Sequence, residues 1–351
     1  MANQLPHVAQ AEHITHVLRR SGVLGAATVR DVVVESDRPT LVSRVIRLRL
    51  DYDGAPGEAP HSIILKTAHP ERIALGSGAA FQEVAFYRDV ATATPPGLLP
   101  RCFDAHADAD TQYWHLLLED LTDSHVIPTA WPLPPSQLQC ERIVAARAHC
   151  HAVWWEDERL GVSIGTRRDP ASWQNLMRDF HQRYTRLADR LGDDLSPQQR
   201  WLYEGLIGST HLAERVQSPR NLTIIHGDAH VWNCFMPRDG GSDVRLFDWD
   251  AWRISRGVTD LAYMMAVHWY PDGRHRMERP LLDHYHAVLL ENGVGHYDRH
   301  ALDDDYRLAV LWQLITPAWQ AAYDIPPVIW WNNMQRVLLA VDDLGCRELL
   351  D

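Results

Sequence analysis

The stretch His226-Gly227-Asp228-Ala229-His230-Val231-Trp232-Asn233, followed further on by Phe247-Asp248-Trp249-Asp250, carries the reading of this chain. The four residues before it, LTII (222–225), are apolar and β-branched. They predict a short buried strand, with HGDAHVWN in the loop that leaves it. Asp228 and Asn233 stand five residues apart. A carboxylate so placed suits orienting or accepting the proton of an attacking hydroxyl, and a nearby amide oxygen suits a magnesium ion held on phosphates. VRLFDWD (244–250) predicts a second short strand, folded back beside the first through Gly240 and Gly241 and ending on Asp248. Magnesium takes oxygen ligands and keeps several waters, so one Asp, one Asn and substrate phosphates suffice for a site. Asp and Asn are common in any turn; two such motifs, in order and each after a strand, point strongly to phosphoryl transfer.

A protein-kinase catalytic loop has the same Asp-to-Asn interval, and such machinery needs a lysine on the third strand of an upstream sheet, paired with a glutamate on the next helix. Lys66 is the only lysine among 34 Lys plus Arg. Coding bias explains the arginine excess but not why the exception lies in the apolar run HSIILKTA (61–68), where a compact ammonium and a planar guanidinium are not interchangeable. Glu83 follows, within AAFQEVAFYRDVA (79–91), which has helical spacing. Residues 29–35 and 43–52 read as two strands of one antiparallel sheet, the second alternating Val45, Arg47, Arg49 with Ile46, Leu48, Leu50. Two further extended pieces meet at the turn ADADT (107–111). The segment 36–44 between the first two strands holds no glycine, so a GxGxxG phosphate loop is absent, and only Ser43 and backbone amides there are offered to a phosphate. WHLLLEDL (114–121) reads as a strand leading into a hinge. A nucleotide base is expected against the backbone of Leu118, Glu119 and Asp120, with Leu117 beside it. Residues 1–119 form the expected first lobe.

Residues 120–351 form the expected second lobe, helical at 137–155, 173–191 and 196–216, with Ser196 as N-cap and Pro197 at the first helical position. All fourteen tryptophans lie at or after Trp114. Trp269, Trp312, Trp319, Trp330 and Trp331 are candidate walls for an acceptor, with packing expected for at least half of them. The adjacent His149, Cys150 and His151 lack the i, i+4 spacing of a helical zinc pair and read as packing or hydrogen-bonding residues.

With 351 residues, 46% of them hydrophobic, the chain can bury a large core. Its net charge of −12 and lack of a basic run argue against nucleic acid as a partner. No apolar stretch approaches the ~20 residues that span a bilayer, and MANQLPHVAQAEH does not read as a leader, so a cytoplasmic protein without membrane attachment is expected. Five scattered cysteines fit neither a disulfide framework nor a thiolate zinc site. Two other classes stay open on the residues alone. One is a metal-dependent hydrolase using His226, Asp228, His230 and Asp248; the other is a catalytically silent nucleotide-binding module.

At these residues the sequence resembles the aminoglycoside phosphotransferase and choline kinase superfamily, most closely its ecdysteroid kinase-like branch. The resemblance is carried by SIILK at Lys66, EVAFYR from Glu83, LLLEDL, ARAHCHAVWW, IIHGDAHVWN, LFDWDAW and GVTDLAYM with Asp260. It implies an α+β, two-lobed, protein-kinase-like fold with a β-rich first lobe and a mainly helical second lobe. It further implies transfer of the γ-phosphoryl group of ATP, or GTP, with Mg2+, to a hydroxyl of a small molecule: an antibiotic, amino-sugar, amino-alcohol or steroid-like alcohol. Asp228 is then the catalytic base, Asn233 and Asp248 hold the metal, Lys66 with Glu83 positions the phosphates, and Asp260 is structural. Trp249 and Asp250 depart from the Phe and Gly of a kinase DFG element.

Overall fold

The structure is a computed structural model that describes residues 6–40, 43–69, 73–323 and 325–350, with backbone alone for 73–77. It divides into two compact units, residues 1–126 with 235–251, and residues 127–234 with 252–351. The expected division after residue 119 therefore shifts, and a returning segment that includes Asp248 groups with the first unit. Pairing and side-chain bonds explain this. Val126 pairs with Met236, the N–H of Leu246 donates to the Leu98 carbonyl, and Arg245 bonds Glu119.

The first unit opens with helix α1 (Ala11–Arg20), which the sequence reading did not anticipate. Ile14, Val17 and Leu18, at i, i+3 and i+4, bury one face of it. Five strands follow in the antiparallel order β1-β2-β3-β5-β4: β1 (Thr28–Pro39), β2 (Ser43–Asp53), β3 (Ser62–Ala68), β4 (Cys102–Asp108) and β5 (Tyr113–Glu119). The α1 residues share a core with Ile46, Leu48, Leu50, Ile63, Leu65 and Leu117, each burial contributing about 1.5–3 kcal/mol. The alternation expected in β2 is observed. Helix α2 (Ile73–Ala85) continues as a wider π turn over Phe86–Val90. Most of the expected loop 36–44 is strand, since β1 extends to Pro39 and β2 begins at Ser43; Leu41 and Val42 lie outside the described residues.

Strand β6 (His125–Val126) and the later β8 (Cys234–Pro237) and β9 (Arg245–Leu246) make a small second sheet in the order β6-β8-β9. Contrary to expectation, the strand before Asp248 pairs in this sheet and not with LTII; a two-residue strand carries too little pattern to choose its partner.

In the second unit, helices α3 (Gln137–Val153), α4 (Pro170–Leu191), α5 (Pro197–Gly208) and α6 (Thr210–Gln217) precede β7 (Leu222–Ile225), whose antiparallel partner is β10 (Arg253–Arg256). Ser196 caps α5 as expected: its hydroxyl accepts from the Gln199 N–H while the Gln199 side chain accepts from the Ser196 N–H. Ser209 divides the anticipated third helix in two, capping α6 through the Leu212 N–H. Helices α7 (Val258–Ala262), α8 (Pro271–Glu291), α9 (Arg299–Trp312), α10 (Ile315–Ala322) and α11 (Pro327–Asp343) complete the unit. No described helix is long and apolar enough to cross a membrane.

Candidate active site

In the first unit, Lys66 projects from β3 and Glu83 from α2. The Lys66 ammonium donates to Glu83 Oε2 at 2.6 Å and to Asp248 Oδ1 at 2.5 Å. The Lys66 side chain is 15% exposed and that of Glu83 2%, whereas the Asp248 side chain keeps 38% of its surface open. Burial alone would lower the Lys66 pKa, but the charges of Glu83 and Asp248 outweigh it and hold the group well above the ordinary lysine range. Burial pushes the Glu83 carboxyl up, opposed by Lys66 and by the backbone N–H of Trp249. Asp248 has φ 66°, a left-handed backbone that costs most residues about 1–2 kcal/mol and that Asp tolerates better than most. Trp249, where a DFG element has Phe, holds that turn. It is 2% exposed, stacks on Phe86 at 4.0 Å and 7°, and donates through Nε1 to the Leu246 carbonyl.

In the second unit, β7 is buried along its length and delivers His226, Gly227 and Asp228. Gly227 has φ 85°, so the turn into Asp228 suits glycine. Asp260 fixes the turn from below: its carboxylate accepts from the backbone N–H of His226 at 2.8 Å and of Gly227 at 2.9 Å. His151 Nε2 lies 3.3 Å from the same carboxylate, and His151 Nδ1 lies 2.9 Å from the Tyr285 hydroxyl. Despite complete burial, bonds from His151 and the nearby Arg147 charge hold the Asp260 pKa well below the usual carboxylate range. The hydrogen-bonding role expected in the His149–Cys150–His151 group is observed at His151.

Asp228 itself is held on both oxygens. Tyr263 Oη donates to Oδ1 at 2.8 Å, and Asn233 Nδ2 donates to Oδ2 at 3.0 Å and to the Asp228 carbonyl at 2.9 Å. Since the amide nitrogen of Asn233 is committed to Asp228, the side chain offers a cation its oxygen. Burial would raise the Asp228 pKa, but His230, the Tyr263 bond, His226 and His268 together lower it. His268 meets Tyr263, His230 and Trp232 edge-on at centroid distances of 5.0–5.6 Å. Three buried polar atoms in this group, His230 Nδ1, Trp232 Nε1 and His268 Nε2, have no hydrogen-bond partner. Burial lowers the His268 pKa to about 3, so its ring is neutral at physiological pH.

The structure thus joins Lys66, Glu83 and Asp248 in one unit and Asp228 and Asn233 in the other. The expected hinge residues Leu118, Glu119 and Asp120 end the strand β5 and follow it. Leu118 is paired with strands on both sides, and the Glu119 N–H already donates to the Arg101 carbonyl. The Asp120 carboxylate accepts from Arg47 and Ser62, each at 2.6 Å, and from the Thr122 N–H. The side chains of Glu119 and Asp120 therefore brace the sheet end. Ser43 is 2% exposed and its hydroxyl bonds Thr40 Oγ1, so it is built into the hairpin. Of the five tryptophans, Trp269 and Trp330 are no more than 3% exposed, and Trp312 stacks on Trp173 at 5.3 Å, all packing roles. Trp319, 45% exposed, leans on Tyr323, and Trp331 stands edge-on to Trp330. Among the described residues, no metal-ligating group of three or more His, Cys, Asp or Glu includes His226, Asp228, His230 or Asp248. Tyr263, His268 and Trp232 were missed; nothing in their spacing announces that they converge.

Residues 165–293 match the model of the Ecdysteroid kinase-like family. No curated protein sequence matches the chain. Among solved structures, a putative aminoglycoside phosphotransferase from Ralstonia eutropha is similar with a TM-score of 0.59 and 12% identity, over 96% of this chain and 97% of that one. Choline kinase from Cryptosporidium parvum has a TM-score of 0.56 at 11% identity, covering 97% and 96%. An amicoumacin kinase in complex with AMP-PNP and Ca2+ has 0.52 at 14% identity, covering 93% and 92%. The chain therefore has the expected kinase-like fold, with a β-sheet lobe and a helical lobe, and its residues 165–293 resemble the ecdysteroid kinase-like family.

Proposed function

We propose that this chain is a phosphotransferase that moves the γ-phosphoryl group of ATP or GTP to a hydroxyl of a small molecule. The observation that carries this reading is Lys66: the one lysine of the chain is bonded to both Glu83 and Asp248, the two carboxylates that phosphate positioning and metal binding require. Lys66, steadied by Glu83, serves the α- and β-phosphates. The Asn233 oxygen and the open Asp248 carboxylate are each oxygen donors of the kind that Mg2+ takes; a bound ion would neutralise charge on the phosphate oxygens. Asp228, ionised and oriented by Tyr263 and Asn233, receives the proton of the acceptor hydroxyl. The acceptor oxygen bonds to the γ-phosphorus while the bond from that phosphorus to the β,γ-bridging oxygen breaks, and the nucleoside diphosphate leaves.

The surroundings of Asp228 support one reading of the acceptor class. Unpartnered Trp232 Nε1, His230 Nδ1 and His268 Nε2 favour an acceptor with several hydrogen-bonding groups, an amino-sugar or amino-alcohol rather than a steroid-like alcohol. The test is a panel of amino-sugars, amino-alcohols, nucleosides, macrolides and steroids, each with ATP or GTP and Mg2+, read by mass for gain of one phosphate. A phosphorylated product is expected, with kcat lowered roughly 10²–10⁴-fold in Asp228→Asn. Full turnover in that variant would overturn the role of Asp228. Nucleotide binding without product across the panel would leave a binding module.

A further inference from the structure

Away from these residues, the first unit gathers a second set of chemistry-bearing side chains. His13 on α1, Asp104 on β4 and His115 on β5 bring three ligand atoms within 4.8 Å of one another. His115 Nε2 lies 2.9 Å from Asp104 Oδ2, and His13 Nε2 lies 3.5 Å from the same oxygen. In a tetrahedral zinc site with ligands about 2.0–2.1 Å from the ion, neighbouring ligand atoms stand roughly 3.3 Å apart. The two observed spacings bracket that value. The His13 and His115 rings approach edge-on at 6.1 Å and 79°, so both imidazoles face the carboxylate rather than each other.

Hydrogen bonding alone does not account for this arrangement. His13 Nε2 is buried and has no hydrogen-bond partner, although it points at a carboxylate oxygen. Asp104 Oδ1 is occupied by Arg20 at 2.5 Å, which orients the carboxylate and leaves Oδ2 to the two histidines. The His115 side chain is 4% exposed, Asp104 14% and His13 23%, so the three sit at a shallow opening where water can complete a coordination sphere.

We infer that His13, Asp104 and His115 form a binding site for a divalent transition ion of the zinc type. Two imidazole nitrogens and one carboxylate oxygen select against Mg2+ and Ca2+, which take oxygen ligands, and suit Zn2+ or Co2+. The bound ion clasps α1 to β4, the outer strand of the five-stranded sheet. This site is separate from the phosphotransfer reading and stands or falls without it.

The experiment uses the full chain without an affinity tag, stripped with chelator and held in excess Mg2+, titrated with ZnCl2 by calorimetry. Metal content is then measured after gel filtration. One equivalent of Zn2+ and a rise in melting temperature are expected. His13→Gln is expected to weaken Zn2+ at least tenfold while leaving the metal-free melting temperature unchanged, and Asp104→Asn to do the same for Zn2+. Because Asp104→Asn disturbs the Arg20 pair, a third measurement uses the native chain: CoCl2 should give the visible d–d bands of a four-coordinate ion, lost on adding Zn2+. Asp248→Asn should bind Zn2+ as the native chain does. Absence of Zn2+ binding, or Zn2+ affinity unchanged in His13→Gln, would overturn the site.

Discussion

Lys66 shows how much one side chain decides. Its ammonium bridges two carboxylates that differ in exposure, buried Glu83 and open Asp248, so it holds one permanently and can yield the other to a ligand. Lys66→Arg keeps the charge but replaces a compact donor with a planar fork. We expect kcat/KM to fall at least about 10²-fold, checked by steady-state kinetics, with the circular dichroism spectrum unchanged. Titration behaviour follows from the same kind of local balance. Since the Asp228 pKa is lowered, this carboxylate, the proposed base, stays ionised throughout neutral and mildly acidic pH, and no loss of activity above pH 5 should trace to it. His268 behaves in the opposite sense. Its folded pKa is lowered to about 3 from the ordinary 6.5, so below pH 6.5 the unfolded chain binds the extra proton and stability falls as pH drops toward 3. His268→Gln should flatten that acid-side loss by up to about 1.4 kcal/mol per pH unit, measured by urea unfolding at stepped pH. An unchanged slope would show that the ring charges in place.

At the scale of elements, the turn after β7 is held from outside. Gly257, just before α7, is where this support is most exposed to change. A Cβ there would stand 2.2 Å from the Tyr285 hydroxyl and 2.8 Å from His151 Nδ1, the pair that braces Asp260. Gly257→Ala should therefore cost about 1–3 kcal/mol through overpacking and lower kcat more than it raises KM. Thermal melts together with kinetics check both. The elements also show what was readable beforehand. The Lys66–Glu83–Asp248 cluster and the Asp228–Asn233 pair could be picked out because the proposed chemistry fixes both residue type and spacing, and β2 and the α5 cap because their patterns are local. Helix α1 escaped because histidines at 13 and 16 dilute an apolar stripe of only three residues. The partner of β9 was misplaced because two residues carry no register. Tyr263 and His268 reach Asp228 across more than thirty residues of chain, a convergence that only tertiary folding reveals.

At the scale of the molecule, the residues assigned to phosphoryl transfer are divided between two compact units, and the chain visits the first unit twice to deliver Asp248. Ligand linkage offers a readout of the proposed nucleotide binding. Mg2+ with ATP or GTP at a hundredfold excess over its Kd should add ~2.7 kcal/mol to the folded state. That corresponds to a rise of several degrees in melting temperature by scanning fluorimetry. The same nucleotide should give little rise in Lys66→Ala, whereas an equal rise in both proteins would place nucleotide affinity elsewhere.

The solitary lysine has a practical corollary. Among the side chains of this protein, amine-directed acylating reagents have one target, and that target is a shielded ammonium kept protonated by two carboxylates. The Lys66 side chain should therefore resist such reagents near neutrality. Any ligand that draws Asp248 away would change the acylation rate at Lys66, which makes mass-spectrometric footprinting of this one residue an occupancy meter that needs no labelled ligand.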